Sequence, residues 1–228
     1  MKRVRVKVCG LRDGETAAKI ARRGADAIGL VFADSPRWVS PEQAREVTDA
    51  LPPFVAAVGV FVDSGPKVLN RVADKAALHY LQLHGDEPPE IVAQVDRPVI
   101  KAFRVRDERW LEAVRRWLDG VGDRRRVAAV LLDAYKPGAH GGTGERFNWE
   151  WVGDARAVGA MDGLPPIVLS GGLDVTNVLT AIKVVQPWAV DVSSGVERRR
   201  GIKDVDKASR FITTVVDDVP EPTGGFWT

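Results

Sequence analysis

Short apolar, β-branched runs recur along the chain, separated by stretches whose apolar positions fall three and four apart. The first pattern predicts strands and the second amphipathic helices. Strands are expected over 4–9, 27–32, 54–62, 79–83, 99–103, 127–133, 167–170 and 189–193. Turn residues mark the joins. The helical pattern at 17–21 runs to Gly24, a natural helix stop. Ser40-Pro41-Glu42-Gln43 reads as a helix start, with a capping serine and a proline in the first turn. Asp174 is expected to cap a helix over 175–183. The pattern totals eight strands and eight helices in strict alternation.

Strict alternation predicts a parallel sheet with right-handed crossovers. Eight units point to a closed α/β barrel of the (β/α)8 TIM type, where five or six would have favoured an open, doubly wound sheet. No linker-like stretch divides the chain. The sequence therefore predicts a single barrel domain over 1–212, followed by a Pro- and Gly-rich tail over 213–228.

Composition narrows the function classes. With 228 residues, 45% hydrophobic and 28% charged, the chain has enough apolar content for a large core. A formal net charge of +2, spread along the sequence, argues against a nucleic-acid partner. No apolar run is long enough to span a membrane. The N-terminus enters strand sequence directly, without the apolar segment of a signal peptide, and there is one cysteine and hence no internal disulfide. A cytoplasmic protein is expected from these features, and the sequence leaves both a monomer and a homodimer open.

In such a barrel the chemistry lies where the strands end. The first strand ends in Cys9-Gly10, the fourth in Gln82-Leu83-His84-Gly85, and the sixth in Asp133. Alternation along the first strand puts Val4, Val6 and Val8 outward and turns Cys9 into the mouth, with Lys7 one layer below. Asp133 shares its face with Leu131 and Ala129. Strands one and six are three steps apart around the ring, so a thiol and a carboxyl group would face each other. That pairing suits proton transfer: a free thiol titrates near ~8.5, and Lys7 is expected to lower that value. A carboxyl group in a partly dry mouth can serve as an acid.

Gly171-Gly172 follows strand seven, and Ser193-Ser194-Gly195 follows strand eight. One such loop alone would read as a tight turn. Two on adjacent strands favour a phosphate site, because bare backbone amides and hydroxyls converge there. Gln82 and His84 share the inward face of strand four. Arg37, in Ser35-Pro36-Arg37-Trp38, offers a donor fork that matches a carboxylate. The stretch Gly138-Ala139-His140-Gly141-Gly142-Thr143-Gly144, running on to Phe147 and Trp149, reads as a cover over the mouth. It is no P-loop, since the required lysine and hydroxyl residue do not follow.

Taken in order, Lys7-Val8-Cys9-Gly10-Leu11, Ser35-Pro36-Arg37, Leu81-Gln82-Leu83-His84-Gly85, Leu132-Asp133, Gly141-Gly142-Thr143-Gly144, Leu169-Ser170-Gly171-Gly172-Leu173, Asp191-Val192-Ser193-Ser194-Gly195 and Gly201-Ile202-Lys203-Asp204 resemble the phosphoribosylanthranilate isomerases of tryptophan biosynthesis. The resemblance implies a cofactor-free, metal-free Amadori rearrangement of a phosphorylated small molecule. It makes the aspartate matching Asp133 the general acid and the cysteine matching Cys9 the general base. Arg37 is then expected on the anthranilate carboxylate, with Gln82, His84 and Asp191 as substrate-binding positions. Gly171, Gly172, Ser193, Ser194 and Gly195 are expected around the phosphate. Another sugar-phosphate lyase or isomerase, or a non-catalytic barrel that binds a phosphorylated ligand, are the competing readings. A lyase closing an indole ring would need a strand-end lysine, and none stands out.

Overall fold

A computed structural model of the chain describes residues 3–134 and 147–217. Eight parallel strands close on themselves: β1 Arg5–Cys9, β2 Ala27–Val31, β3 Ala56–Phe61, β4 Tyr80–Leu83, β5 Val99–Val105, β6 Val127–Ala134, β7 Ile167–Leu169 and β8 Ala189–Val192. Each strand pairs with its sequence neighbours, and β1 also pairs with β8 to close the ring. The expected barrel is therefore the observed one.

Alternation sorts the strand residues into two packed regions. Val6, Val8, Ile28, Leu30 and Leu81 face outward into the layer between sheet and helices. Val58, Ile100, Ala102, Ala129, Leu131, Val168 and Ala189 fill the barrel interior. Nearer the top, Cys9 packs with Val31 and Val60.

The surrounding helices are α1 Gly14–Arg22, α2 Pro41–Asp49, α3 Pro66–Lys75, α4 Trp110–Asp119, α5 Glu150–Ala157, α6 Val178–Val185 and α7 Val205–Asp217. Ser40 caps α2 as expected: its Oγ accepts from Gln43 N at 3.2 Å, and the Gln43 side chain accepts from Ser40 N at 3.0 Å.

Three expectations need correction. Between β4 and β5 the chain forms only a short 3₁₀ helix, Pro89–Gln94, so the eight-helix count fails among the described residues. Pro88, Pro89 and Pro98 bracket this segment, and a proline supplies no amide hydrogen for an α-helical ladder. Asp174 does not cap α6. Its carboxylate accepts from Thr176 N at 2.8 Å inside a preceding turn, and the helix begins later, at Val178. At the other end α7 continues through Asp217, so residues 213–217 are helical. Its Phe211, Ile212 and Val215 are buried against the barrel.

The glycine-rich stretch 138–144 and residues 218–228 lie outside the described residues, while Phe147 and Trp149 pack against the core. Among the described residues, no helix is long and apolar enough to cross a membrane.

Candidate active site

The C-terminal ends of the strands surround a small cavity of about 70 Å³, lined by Cys9, Arg37, Gln82, His84, Asp133, Asp191 and Ser193. These are the catalytic and substrate-binding candidates with one phosphate candidate, Ser193, gathered from five strands or the loops behind them. The four remaining phosphate candidates stand just beyond, next in sequence to the lining serines Ser170 and Ser193. A larger cavity of about 490 Å³ opens on the barrel flank between β5 and α4. It meets the mouth only through His84, and its Lys101 is already paired with Glu87 at 2.8 Å. Chemistry, not size, distinguishes the site.

Cys9 ends β1 beside Gly29 of β2, where a Cβ would stand 2.7 Å from Sγ. Gly29 thus makes the room that lets the thiol point inward. Gly10, at φ +86°, packs in turn against the aliphatic stem of Arg37. Below the thiol, Lys7 Nζ donates to Asp191 Oδ1 at 2.9 Å, both groups buried.

The expected lowering of the thiol does not hold. Burial pushes Cys9 up, and this outweighs the attraction of Lys7 and Lys203, while Asp191 adds to the rise. Burial also opposes the charge on Lys7, but Asp191 and Cys9 prevail and hold the ammonium above its ordinary value. Lys7 is therefore a cation already committed to a carboxylate. Alkylation by iodoacetamide should accordingly be slow at neutral pH and rise past the ordinary thiol midpoint near ~8.5. A rate that levels off below pH 7.5 would contradict that environment. With one cysteine in the chain, the assay reads a single site.

Across the mouth, Asp133 Oδ2 stands 3.1 Å from His84 Nε2, and its Oδ1 accepts from Ala134 N at 2.9 Å. His84 Nδ1 lies 2.8 Å from Gln82 Nε2. Both ring nitrogens of the histidine thus meet protein groups, and the strand-four pair is joined to Asp133 by hydrogen bonds.

Arg37 uses Nε and Nη2 on the two oxygens of Glu197, at 2.7 and 3.0 Å. Its Nη1 donates to no described residue. Lys203 joins the same carboxylate at 2.8 Å and also donates to Ser193 O and Oγ. Burial works against the Glu197 charge, but Arg37 and Lys203 together hold it below the usual carboxylate range. The Lys203 ammonium, in contrast, is lowered by burial that Glu197 does not fully offset. Neither Glu197 nor Lys203 was assigned a role from sequence. The signal available was the Glu197-Arg198-Arg199-Arg200-Gly201-Ile202-Lys203 hairpin, in which β9 Glu197–Arg199 and β10 Ile202–Lys203 return both side chains to the mouth.

Gly171 and Gly172 have φ of +90° and +63°, open to glycine and strained for other residues. A Cβ on Gly195 would fall 2.0 Å from Leu173 O, so the loops after β7 and β8 press together. Backbone amides of Gly171, Gly172, Ser194 and Gly195 donate to no carbonyl among the described residues.

A family model for N-(5'phosphoribosyl)anthranilate (PRA) isomerase matches residues 6–214. The chain belongs to this isomerase family. An N-(5'-phosphoribosyl)anthranilate isomerase from Geobacter sulfurreducens is 48% identical over 210 residues, 92% of this chain and 97% of that one. A phosphoribosyl anthranilate isomerase crystallised with reduced 1-(o-carboxyphenylamino)-1-deoxyribulose 5-phosphate superposes with a TM-score of 0.78. It is 40% identical, with 93% of this chain and 98% of the other covered. Monomers generated from the dimeric isomerase of Thermotoga maritima give a TM-score of 0.78 at 38% identity, with the same coverage. The family is one of barrel enzymes that convert an aldose to a ketose in tryptophan biosynthesis, in agreement with the fold found here.

Proposed function

We propose that the mouth converts N-(5'-phosphoribosyl)anthranilate to 1-(2-carboxyphenylamino)-1-deoxyribulose 5-phosphate, with Asp133 as acid and Cys9 as base. The observation that carries this reading is the placement of a thiol and a carboxyl group in one small cavity beside two amide-bearing loops.

Asp133 gives a proton to the ribose ring oxygen. The bond from C1 to that oxygen breaks, and the anthranilate nitrogen forms a protonated Schiff base with C1. That cation draws electrons from C2, whose proton passes to Cys9. The resulting enolamine gains a proton at C1 and loses one from the C2 hydroxyl, giving the ketone. Cys9 acts as base only as the thiolate, so its own proton leaves to solvent before the C2 proton arrives, and the positive Schiff base favours that thiolate against the burial that opposes it. Lys7, tied to Asp191, supplies a fixed positive charge below. The amides of Gly171, Gly172, Ser194 and Gly195 receive the phosphate, while the Ser193 hydroxyl, expected there too, donates to the Cys9 carbonyl and holds the loop against β1. Arg37 Nη1 meets the anthranilate carboxylate while Glu197 holds the rest of its fork.

Mixing purified protein with freshly made phosphoribosylanthranilate should speed the loss of its fluorescence. An unaltered decay would remove the isomerase reading and leave a ligand-binding barrel.

The second proposal concerns assembly. Phe54, after Pro52-Pro53, is 105% exposed at φ +70°, a strained setting for a bulky side chain. It stands at the rim of an apolar cavity of about 360 Å³ in the opposite, N-terminal mouth, where Ala56, Val58, Ile100 and Val168 form walls. A two-fold dimer in which each Phe54 enters the partner's cavity covers both features. Phe54→Asp should give a monomer by light scattering with kcat kept. A wild-type monomer at micromolar concentration would rule this out.

A further inference from the structure

Lys203 is buried, and its ammonium directs all three of its donors at protein atoms. Nζ donates to Glu197 Oε1 at 2.8 Å, to Ser193 O at 3.0 Å and to Ser193 Oγ at 3.2 Å. Glu197 does not need this second cation. Arg37 already meets both of its oxygens, through Nε and Nη2. A trio of two cations and one anion carries a net charge, and burying it opposes folding. The arrangement therefore calls for a reason other than neutralising Glu197.

That reason lies in what the trio connects. At one end stands Arg37, whose Nη1 is the part of the fork left for the anthranilate carboxylate. At the other end is Ser193, which opens the loop whose Ser194 and Gly195 amides are proposed to take the phosphate. Ser193 Oγ also donates to the Cys9 carbonyl at 3.1 Å, so the thiol-bearing strand is tied to the same network. Close backbone packing holds the links in place. A Cβ on Gly10 would stand 2.5 Å from Arg37 Cδ, so the arginine stem lies directly against the residue after Cys9. Gly201, at φ +80°, turns the hairpin that carries Glu197 and Lys203. A Cβ there would fall 2.7 Å from the carbonyl oxygen of Pro36, the residue before Arg37. Clamp, hairpin and loop pack as one body.

We infer that Glu197 and Lys203 form a strut that fixes the spacing between the Arg37 clamp and the phosphate loop after β8, so that a ligand carrying both a carboxylate and a phosphate gains from binding at both ends. They are positioning residues that act through Arg37 and Ser193, not on the reacting atoms. The inference rests on the carboxylate and phosphate assignments of the proposed function. Two anchors at a set distance hold the second end of a ligand at high effective concentration once the first is bound. Loosening the spacing removes that gain and leaves each anchor able to take its own half. Ligands with only one of the two groups gain nothing from the strut, which makes it a determinant of specificity.

The test compares the reduced product analogue, which carries both groups, with anthranilate and ribose 5-phosphate, which carry one each. Calorimetry reads the analogue, and ligand-observed NMR titration reads the two fragments. Glu197→Asp keeps every charge but shortens the strut by one methylene, so it separates spacing from attraction. It should weaken the analogue about tenfold or more and change either fragment by no more than about twofold. Lys203→Met leaves Glu197 paired with Arg37 and should weaken the analogue at least as much. Thermal melts check that both variants are folded. Equal losses for the analogue and both fragments in Glu197→Asp would overturn the strut, because that pattern marks a damaged anchor. Unchanged binding of the analogue in both variants would overturn it too. A wild-type protein that binds neither the analogue nor ribose 5-phosphate would instead remove the site reading on which the strut rests.

Discussion

Cys9→Ser should lower kcat by about 10²- to 10⁴-fold, the usual contribution of one general base, and leave ligand binding nearly unchanged. The groups proposed to bind substrate lie elsewhere: Arg37 on the loop after β2, and the amide loops after β7 and β8. Serine keeps the small polar shape beside Gly29 but offers a hydroxyl, a far weaker acid than a thiol. Burial already pushes the Cys9 thiol up, so the site has no spare driving force for ionising a weaker acid. Turnover should be followed by the fluorescence decay, and binding by calorimetry with the reduced product analogue known to bind a relative. A variant with wild-type kcat would show that another group removes the C2 proton. A variant that also fails to bind would mean that Cys9 shapes the site instead of reacting.

The second large effect is on stability. Glu87 is a hub at the top of the barrel, where the 3₁₀ helix stands in for a full α-helix. Its carboxylate accepts from Lys101 Nζ at 2.8 Å, from Asp63 N at 3.0 Å and from Gly85 N at 3.1 Å. Its backbone carbonyl accepts from Trp117 Nε1 at 2.8 Å. Both Glu87 and Lys101 are buried. Glu87→Ala leaves a buried ammonium with the Gly85 carbonyl, at 2.6 Å, and the rings of Phe103 and Trp117 but no counter-charge, and strips two amides of their acceptor. Removing one partner of a buried pair costs about 3–5 kcal/mol. For a chain of this size that lowers Tm by about 6–20 °C. Denaturant unfolding with tryptophan fluorescence measures it, and a loss under about 1 kcal/mol would show that water reaches Lys101. Replacing both residues, as Glu87→Leu with Lys101→Met, should recover most of the stability, because no unpaired charge then remains.

The barrel was legible because each strand is a short β-branched run whose two faces have distinct destinations. The alternation Val6, Lys7, Val8, Cys9 was enough to turn the thiol inward, and closure of eight units set Asp133 in the same mouth. What escaped the sequence is pairwise and distant. Arg37 meets Glu197 across 160 residues, and no local spacing announces that contact. Lys101 of β5 meets Glu87 through the short 3₁₀ connection after β4, where the sequence pattern predicts a regular helix. The direction of the Cys9 shift was missed for a related reason. Lys7 was visible one layer below, but the dry packing of Val31 and Val60 is a property of the assembled barrel. The same holds for the commitment of Lys7 to Asp191.

That last pair has a consequence for the chain as it is made. Lys7 and Asp191 lie 184 residues apart, and the Ser193 hydroxyl reaches the carbonyl of Cys9 over the same interval. The thiol is synthesised almost first, yet its charged floor arrives almost last. A ribosome-bound chain that has not yet released β8 holds every atom of Cys9 and Asp133 but lacks the Lys7–Asp191 contact and the cradle loop after β8. Onset of activity during synthesis therefore times the meeting of the first strand with the last, which makes this enzyme its own reporter of completed folding.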